Sequence, residues 1–182
     1  MCMIFITSNK GKYLEAKIIL GNSLKQKNIF YPELQADSIE DVVNFGIEYL
    51  KTKENNFIIE DSALFIDALN GFPGVYSSFV YRKIGNDGIL KLMENEKNRK
   101  ARFECCIGFF SKKEGKKIFK GRCDGKIAKE KRGNKGFGYD PIFLPLGAKK
   151  TFGEMERNEK NIFSHRAKAL NKFALYRKFI IT

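Results

Sequence analysis

Cys2-Met3-Ile4-Phe5-Ile6-Thr7-Ser8-Asn9-Lys10-Gly11-Lys12-Tyr13-Leu14-Glu15-Ala16-Lys17-Ile18-Ile19-Leu20-Gly21 contains the chain's first strand, turn and helix, and its type decides the fold. Residues 2–7 form an apolar run suited to a buried strand. The polar turn Ser8-Asn9-Lys10-Gly11 follows, and a helix is predicted over Lys12 to Leu20 with Gly21 as its C-terminal stop. A strand that feeds directly into a helix is the opening of a β-α-β unit, which places the chain among the α/β folds.

Working outward, a second strand is predicted near Asn28–Tyr31, ended by Pro32. Ser38 with Asp41 resembles a helix cap, and Ile39, Val42, Val43, Gly46 and Leu50 line one face of the helix it opens. The short apolar run Phe57-Ile58-Ile59 reads as a strand ending at Glu60-Asp61-Ser62, and Gly71-Phe72-Pro73-Gly74 reads as a turn. A helix is expected over Asp87 to Glu94. Ala101–Ser111 alternates Phe103, Cys105, Ile107 and Phe109 on one side, and Glu114-Gly115 turns it into a returning strand through Ile118, Phe119 and Ile127. Lys129–Gly136 is a basic loop without periodicity, and a last helix starts near Ser164. The order predicts an α/β fold around a mixed sheet, as a single domain over residues 1–182.

Composition narrows the chemistry. With one histidine, zinc motifs of the HExxH kind are excluded, and any serine triad would have to use His165. Cys2, Cys105, Cys106 and Cys123 make no CxxC pair, so neither a zinc site nor a disulfide framework is expected. There is no basic leader and no apolar run of the roughly 18 residues a membrane helix needs, so a cytoplasmic protein without membrane association is expected. The net charge of +13 attracts anions such as nucleic acid, nucleotides or an acidic membrane. It is equally the mark of a Lys-rich composition.

Four segments present polar groups where local structure can use them. Thr7-Ser8-Asn9-Lys10-Gly11-Lys12 enters a helix, where backbone amides, hydroxyls and lysines suit a polyphosphate, although no GxxxxGK[ST] loop is present. Glu60-Asp61-Ser62 puts carboxylates at a predicted strand end, and Mg²⁺ needs only one or two of them, with Glu33 of Pro32-Glu33-Leu34-Gln35 able to add another. In Gly136-Phe137-Gly138-Tyr139-Asp140-Pro141, glycines let a flat ligand approach and stack on the ring, and Pro141 keeps Asp140 out of helical geometry, so its carboxylate is expected to point into a cleft. In Glu159-Lys160-Asn161-Ile162-Phe163-Ser164-His165-Arg166, a histidine and an arginine stand in the first turn of a helix, where cations oppose the dipole, which suggests that they serve a ligand. Singly, each is also an ordinary turn, capped loop, bulge or exposed polar stretch.

Taken in order with Ala68-Leu69-Asn70-Gly71-Phe72-Pro73-Gly74-Val75-Tyr76-Ser77, these motifs resemble the inosine triphosphate pyrophosphatase family, from Ile4 to the last helix. The Glu-Asp-Ser and Pro-Glu-Leu-Gln forms look like those of its archaeal and eukaryotic members. The resemblance implies an elongated mixed sheet flanked by helices, with two lobes around a central nucleotide-binding cleft, and a homodimer. It implies hydrolysis of non-canonical purine nucleoside triphosphates (ITP, dITP, XTP) to the monophosphate and pyrophosphate, through attack of Mg²⁺-activated water on the α-phosphorus. Mn²⁺ is able to substitute.

The same resemblance assigns roles. Thr7, Ser8, Asn9, Lys10, Gly11 and Lys12 would cradle the phosphates with Ser62, and Glu33 and Asp61 would hold the metal, Asp61 also accepting the water's proton. Phe137, Gly138, Tyr139 and Asp140 would form the base pocket with Lys160, His165 and Arg166. Ser8 stands where members usually carry glycine, and Ser78 where a substrate-contacting lysine is common. Either phosphate affinity is lower, or Lys10 or Arg82 compensates. Competing readings are the related pyrophosphatases of pyrimidine or modified nucleotides and a basic nucleic-acid-binding protein. The family resemblance carries no expectation of a stable nucleic-acid complex.

Overall fold

Met3–Ile6 forms β1, which pairs in parallel with β2 (Leu24–Lys27) on one side and with β3 (Asn56–Ile66) on the other. Between β1 and β2 runs α1 (Lys10–Leu20), and between β2 and β3 runs α2 (Ile39–Leu50). This is the β-α-β-α-β order expected, in a computed structural model that describes residues 3–32 and 34–181. Cys2 and Glu33 lie outside the described residues. Beyond β3 come β4 (Pro73–Gly74), α3 (Ser77–Leu92), β5 (Lys100–Ser111), β6 (Gly115–Ile127), β7 (Phe143–Pro145), α4 (Arg157–Phe163) and α5 (His165–Ile181). The sheet order is β2-β1-β3-β5-β6-β7, with β4 added to β3. The β3–β4 and β6–β7 pairs are antiparallel, so the sheet is mixed.

The chain makes two compact units, and it alternates between them. The first comprises Met1–Asp61, Cys105–Gly121 and Arg166–Thr182; the second comprises Ser62–Glu104 and Arg122–His165. The core of the first joins Phe5, Ala16, Leu24, Ile58, Cys105, Ile107 and Phe109 to Ala169, Leu170 and Phe173 of α5. That of the second gathers Leu64, Ile66, Ile89, Phe103, Ile127, Ile142, Phe143 and Phe152. Each Leu, Ile or Phe among them, fully buried, contributes about 1.5–3 kcal/mol, which helps both units order around short strands.

Three expected elements need correction. The second strand is Leu24–Lys27, not 28–31, because an edge strand here needs only Leu24 buried for its backbone to pair with β1. In the run that suggested otherwise, Ile29 and Tyr31 are only half-buried and Phe30 is 83% accessible. Nor does β3 end at Glu60. It continues through Asp61 and Ser62 to Ile66, since Ala63, Leu64 and Ile66 resume the buried pattern. The helix expected over 87–94 begins at Ser77 and breaks at Gly85, whose φ of 58° and ψ of −161° restart it. α4 had no counterpart in the expected elements.

Capping follows the sequence. Ser38 Oγ accepts the Asp41 amide at 3.1 Å to open α2, and Asn9 Oδ1 accepts the Lys12 amide at 3.0 Å to open α1. Thr151 and Glu154 make a capping box around a short 3₁₀ turn, and Arg132 pairs with Glu154 at 2.8 Å. The Thr151 amide foremost, with help from the Arg132 guanidinium, holds the Glu154 carboxyl below its usual range against the opposing effect of burial. A carboxyl depressed by folding contributes stability above its unfolded pKa of about 4.3 and loses it as pH falls through the lower folded value. Glu154→Gln should therefore lower Tm at pH 7 and approach the parent as acid takes the carboxyl through its lowered folded value; thermal melts from neutral pH into acid check this. No helix among the described residues is long and apolar enough to cross a membrane.

Candidate active site

In the first unit the site is built where α1 meets β3. The cap places Lys12 in the first turn of α1, and its ammonium reaches Glu60 Oε2 at 3.1 Å, the Glu60 carbonyl at 3.3 Å and Asp61 Oδ1 at 3.9 Å. One turn on, Glu15 points the same way and takes Arg166 Nη1 at 2.5 Å. Arg166 also lies 3.4 Å from Glu60, and the Cys105 thiol donates to Glu60 Oε1 at 3.4 Å. Burial opposes the charge on Lys12, but Glu60 and then Asp61 outweigh it and raise its pKa, with Arg166 working against them. The same competition, won by Glu60 and Glu15, raises Arg166. Burial pushes the neighbouring Cys106 thiol up to about 12, so it stays protonated and inert at neutral pH.

The arginine at the unfavourable end of α5 thus has two carboxylate partners, and its charge is answered there without any ligand. Lys12 and Arg166 together face Glu15, Glu60 and Asp61, so the cluster is one negative charge in excess. That sign suits a divalent cation. Asp61, with a side chain 28% accessible against 0% for Glu60, presents the hard oxygen donor that Mg²⁺ prefers. Among the described residues no three His, Cys, Asp or Glu cluster as a ready-made metal cage.

Around the α1 turn, Thr7 Oγ1 accepts the Asn9 amide at 3.1 Å, and Lys10 is exposed beside Ser8 and Gly11. Asn70 is the only described non-glycine residue with positive φ, so Ser8 makes this turn without the left-handed backbone a glycine would supply. Ser62 continues β3 as the first residue of the second unit. Ser78 accepts Arg82 Nη1 at 2.8 Å, which brings that arginine onto the position where a lysine is common.

In the second unit the loop after β6 is organised by Asp140. Its carboxylate accepts the Phe137 amide at 2.8 Å and pairs with Lys160 Nζ at 2.7 Å, both side chains nearly fully buried. The expectation that Pro141 frees this carboxylate to point into a cleft is corrected. Asp140–Ile142 is a 3₁₀ turn, which tolerates proline in its first residues, and the carboxylate is spent inside the loop. Gly136, at φ +74°, permits the arrangement, since a Cβ there would sit 2.0 Å from Asp140 Oδ2. Lys160 lies 5.1 Å from the Phe137 ring centroid and 5.3 Å from that of Phe152. Gly138 offers its carbonyl to Asn86 Nδ2 at 3.2 Å, and the Tyr139 hydroxyl donates to the Ser77 carbonyl at 3.0 Å. Burial, then Tyr81, raises the Tyr139 pKa, which keeps that hydroxyl a donor. His165, 2% accessible, stacks on Phe103 with centroids 4.5 Å apart and planes 8° from parallel.

The candidates therefore fall into two sets. Lys12, Asp61 and Arg166 gather in one unit, and Phe137, Asp140 and Lys160 in the other, where His165 also lies. Glu15, Glu60, Cys105, Asn86, Phe103 and Phe152 were missed as partners of these groups. Only Glu15 had a readable signal: three residues after Lys12 on a helix, it had to share its face.

The sequence profile of the Ham1 family matches residues 3–176 of the chain. A protein of Pyrococcus horikoshii named dITP/XTP pyrophosphatase is 54% identical over 177 residues, 95% of either chain. One of the same name from Thermococcus kodakarensis is 49% identical over 98% of either chain. The solved structure of the Staphylococcus aureus Ham1 protein superposes with a TM-score of 0.85 at 28% identity, covering 98% of both chains.

Proposed function

Because this chain belongs to the Ham1 family, we propose that it hydrolyses non-canonical purine nucleoside triphosphates (dITP, XTP and ITP) to the monophosphate and pyrophosphate. The observation that carries this reading is near-full-length identity of 54% to a protein named for that activity.

Water attacks the α-phosphorus and pyrophosphate leaves. Asp61 takes the proton of the attacking water, and Lys12, its charge secured by Glu60, stabilises the leaving pyrophosphate. Asp61 and Glu33 would hold Mg²⁺, or Mn²⁺ in its place, which when bound would neutralise further triphosphate charge and lower the pKa of nearby water. Thr7 to Gly11 and Ser62 bind the remaining phosphate oxygens. On the base, Phe137 stacks, while Lys160 and His165 donate to the 6-keto oxygen that inosine and xanthosine carry in place of adenine's amino group. An amino group facing those donors leaves buried groups unpaired, at about 1–3 kcal/mol each. Arg166 acts on this site through Glu60. We place the protein in the cytoplasm as a homodimer on the family resemblance alone.

The test is Mg²⁺-dependent pyrophosphate release from ITP, dITP and XTP beside GTP, ATP and TTP. Selective release from the first three is expected. Equal rates on all six would remove the selectivity, and orthophosphate without pyrophosphate would move the cleavage site. Preference for TTP would favour a pyrimidine-type relative.

A further inference from the structure

The base-reading groups of this proposal do not stand alone. The imidazole of His165 lies flat on Phe103, and the Phe103 ring is itself clamped, edge-on to Phe143 at 4.7 Å and roughly parallel to Phe152 at 6.2 Å. Phe152 also meets Phe143 at 5.2 Å, which fixes the three rings against one another. Phe152 meets the Lys160 ammonium too, 5.3 Å from its centroid, which is paired with Asp140 and 5.1 Å from the Phe137 centroid. All of these residues belong to the second unit. One aromatic array thus touches both the imidazole and the ammonium.

We infer that Phe103 is a positioning residue for nucleotide selection: its ring, locked by Phe143 and Phe152, sets the plane of His165 and keeps it in register with Lys160. The inference rests on the proposed function and deepens it. The physical reason is geometric. A side chain has two torsions between backbone and imidazole, and a stacked neighbour removes the tilt that would swing the ring N–H away from a keto oxygen. A hydrogen bond to a base edge loses most of its value once the angle at the hydrogen falls towards 120°. Phe103 touches no reacting atom, so its removal should affect which base is held and not how the phosphorus is attacked.

The lone histidine makes the test direct, because the full-length protein has a single imidazole signal set in its NMR spectrum. In the parent, the imidazole ring protons should be shifted upfield by the Phe103 ring current, and addition of dIMP should move them. Phe103→Leu should abolish that upfield shift. It should raise KM for dITP about tenfold with kcat changed much less, and narrow the dITP-to-dATP ratio of kcat/KM by a similar factor. Phe103→Tyr, which keeps the ring, should restore the upfield shift and most of the ratio. A lowered Tm in Phe103→Leu with the nucleotide ratio unchanged would make Phe103 core packing only and overturn the inference. A parent protein inert towards dITP would instead overturn the functional reading, and the imidazole shifts would still report the stacking.

Discussion

Asp61→Asn is expected to leave a folded protein with turnover of dITP reduced about 10³-fold or more, since loss of a positioned general base alone accounts for about 10²–10⁴. The substitution is isosteric, and Asp61 is the weaker partner of Lys12, at 3.9 Å against 3.1 Å for Glu60. Lys12 therefore keeps its principal counter-charge, and Tm should shift by no more than about 2–4 °C. What disappears is chemical. An amide neither takes a proton from water at neutral pH nor offers a divalent cation an anionic oxygen, and the excess negative charge of the cluster is cancelled. Pyrophosphate release and a thermal melt on the same sample separate the two effects. Activity within tenfold of the parent would take Asp61 out of the mechanism, and a collapsed melt would show that its carboxylate is structural. The contrast with Glu60 is instructive, because Glu60 is fully buried and shared between Lys12 and Arg166, so its loss would disturb both cations at once.

What could be read from the sequence follows a physical line. Features set by neighbours within a few residues were legible: β1 entering α1, the Ser38 cap of α2, the hairpin of β5 and β6. So was the grouping of motifs into a family, because residue types at ordered spacings survive without knowledge of the fold. Features set by distant partners were not. Two carboxylates in a row look like the end of a strand until Lys12 and Arg166 arrive to neutralise them, and then β3 runs on to Ile66. Asp140 looked available because its own neighbours, a tyrosine and a proline, cannot occupy it; the groups that do are Lys160 and the Phe137 amide. β2 escaped for the opposite reason, since backbone pairing with β1 places it and only Leu24 carries an apolar signal.

Arg166→Met should strongly destabilise the first unit. The guanidinium is 3% accessible and lies between Glu15 and Glu60, both buried, so its removal takes the 2.5 Å cation from Glu15 and leaves Glu60 with Lys12. Breaking a buried pair in this way costs about 3–5 kcal/mol, which for a chain of this size lowers Tm by roughly 6–20 °C. A second substitution identifies the cause. Removing one of the stranded charges should recover part of the loss, so the double variant Arg166→Met with Glu15→Gln is expected to melt above Arg166→Met alone. Arg166→Lys tests the geometry, because a point charge meets the two carboxylates without the planar fork and should fall between parent and methionine. Should Arg166→Met melt within about 2 °C of the parent at pH 8, the arginine is not the counter-charge of this cluster. Lys12, 3.1 Å from Glu60, would then be its principal cation.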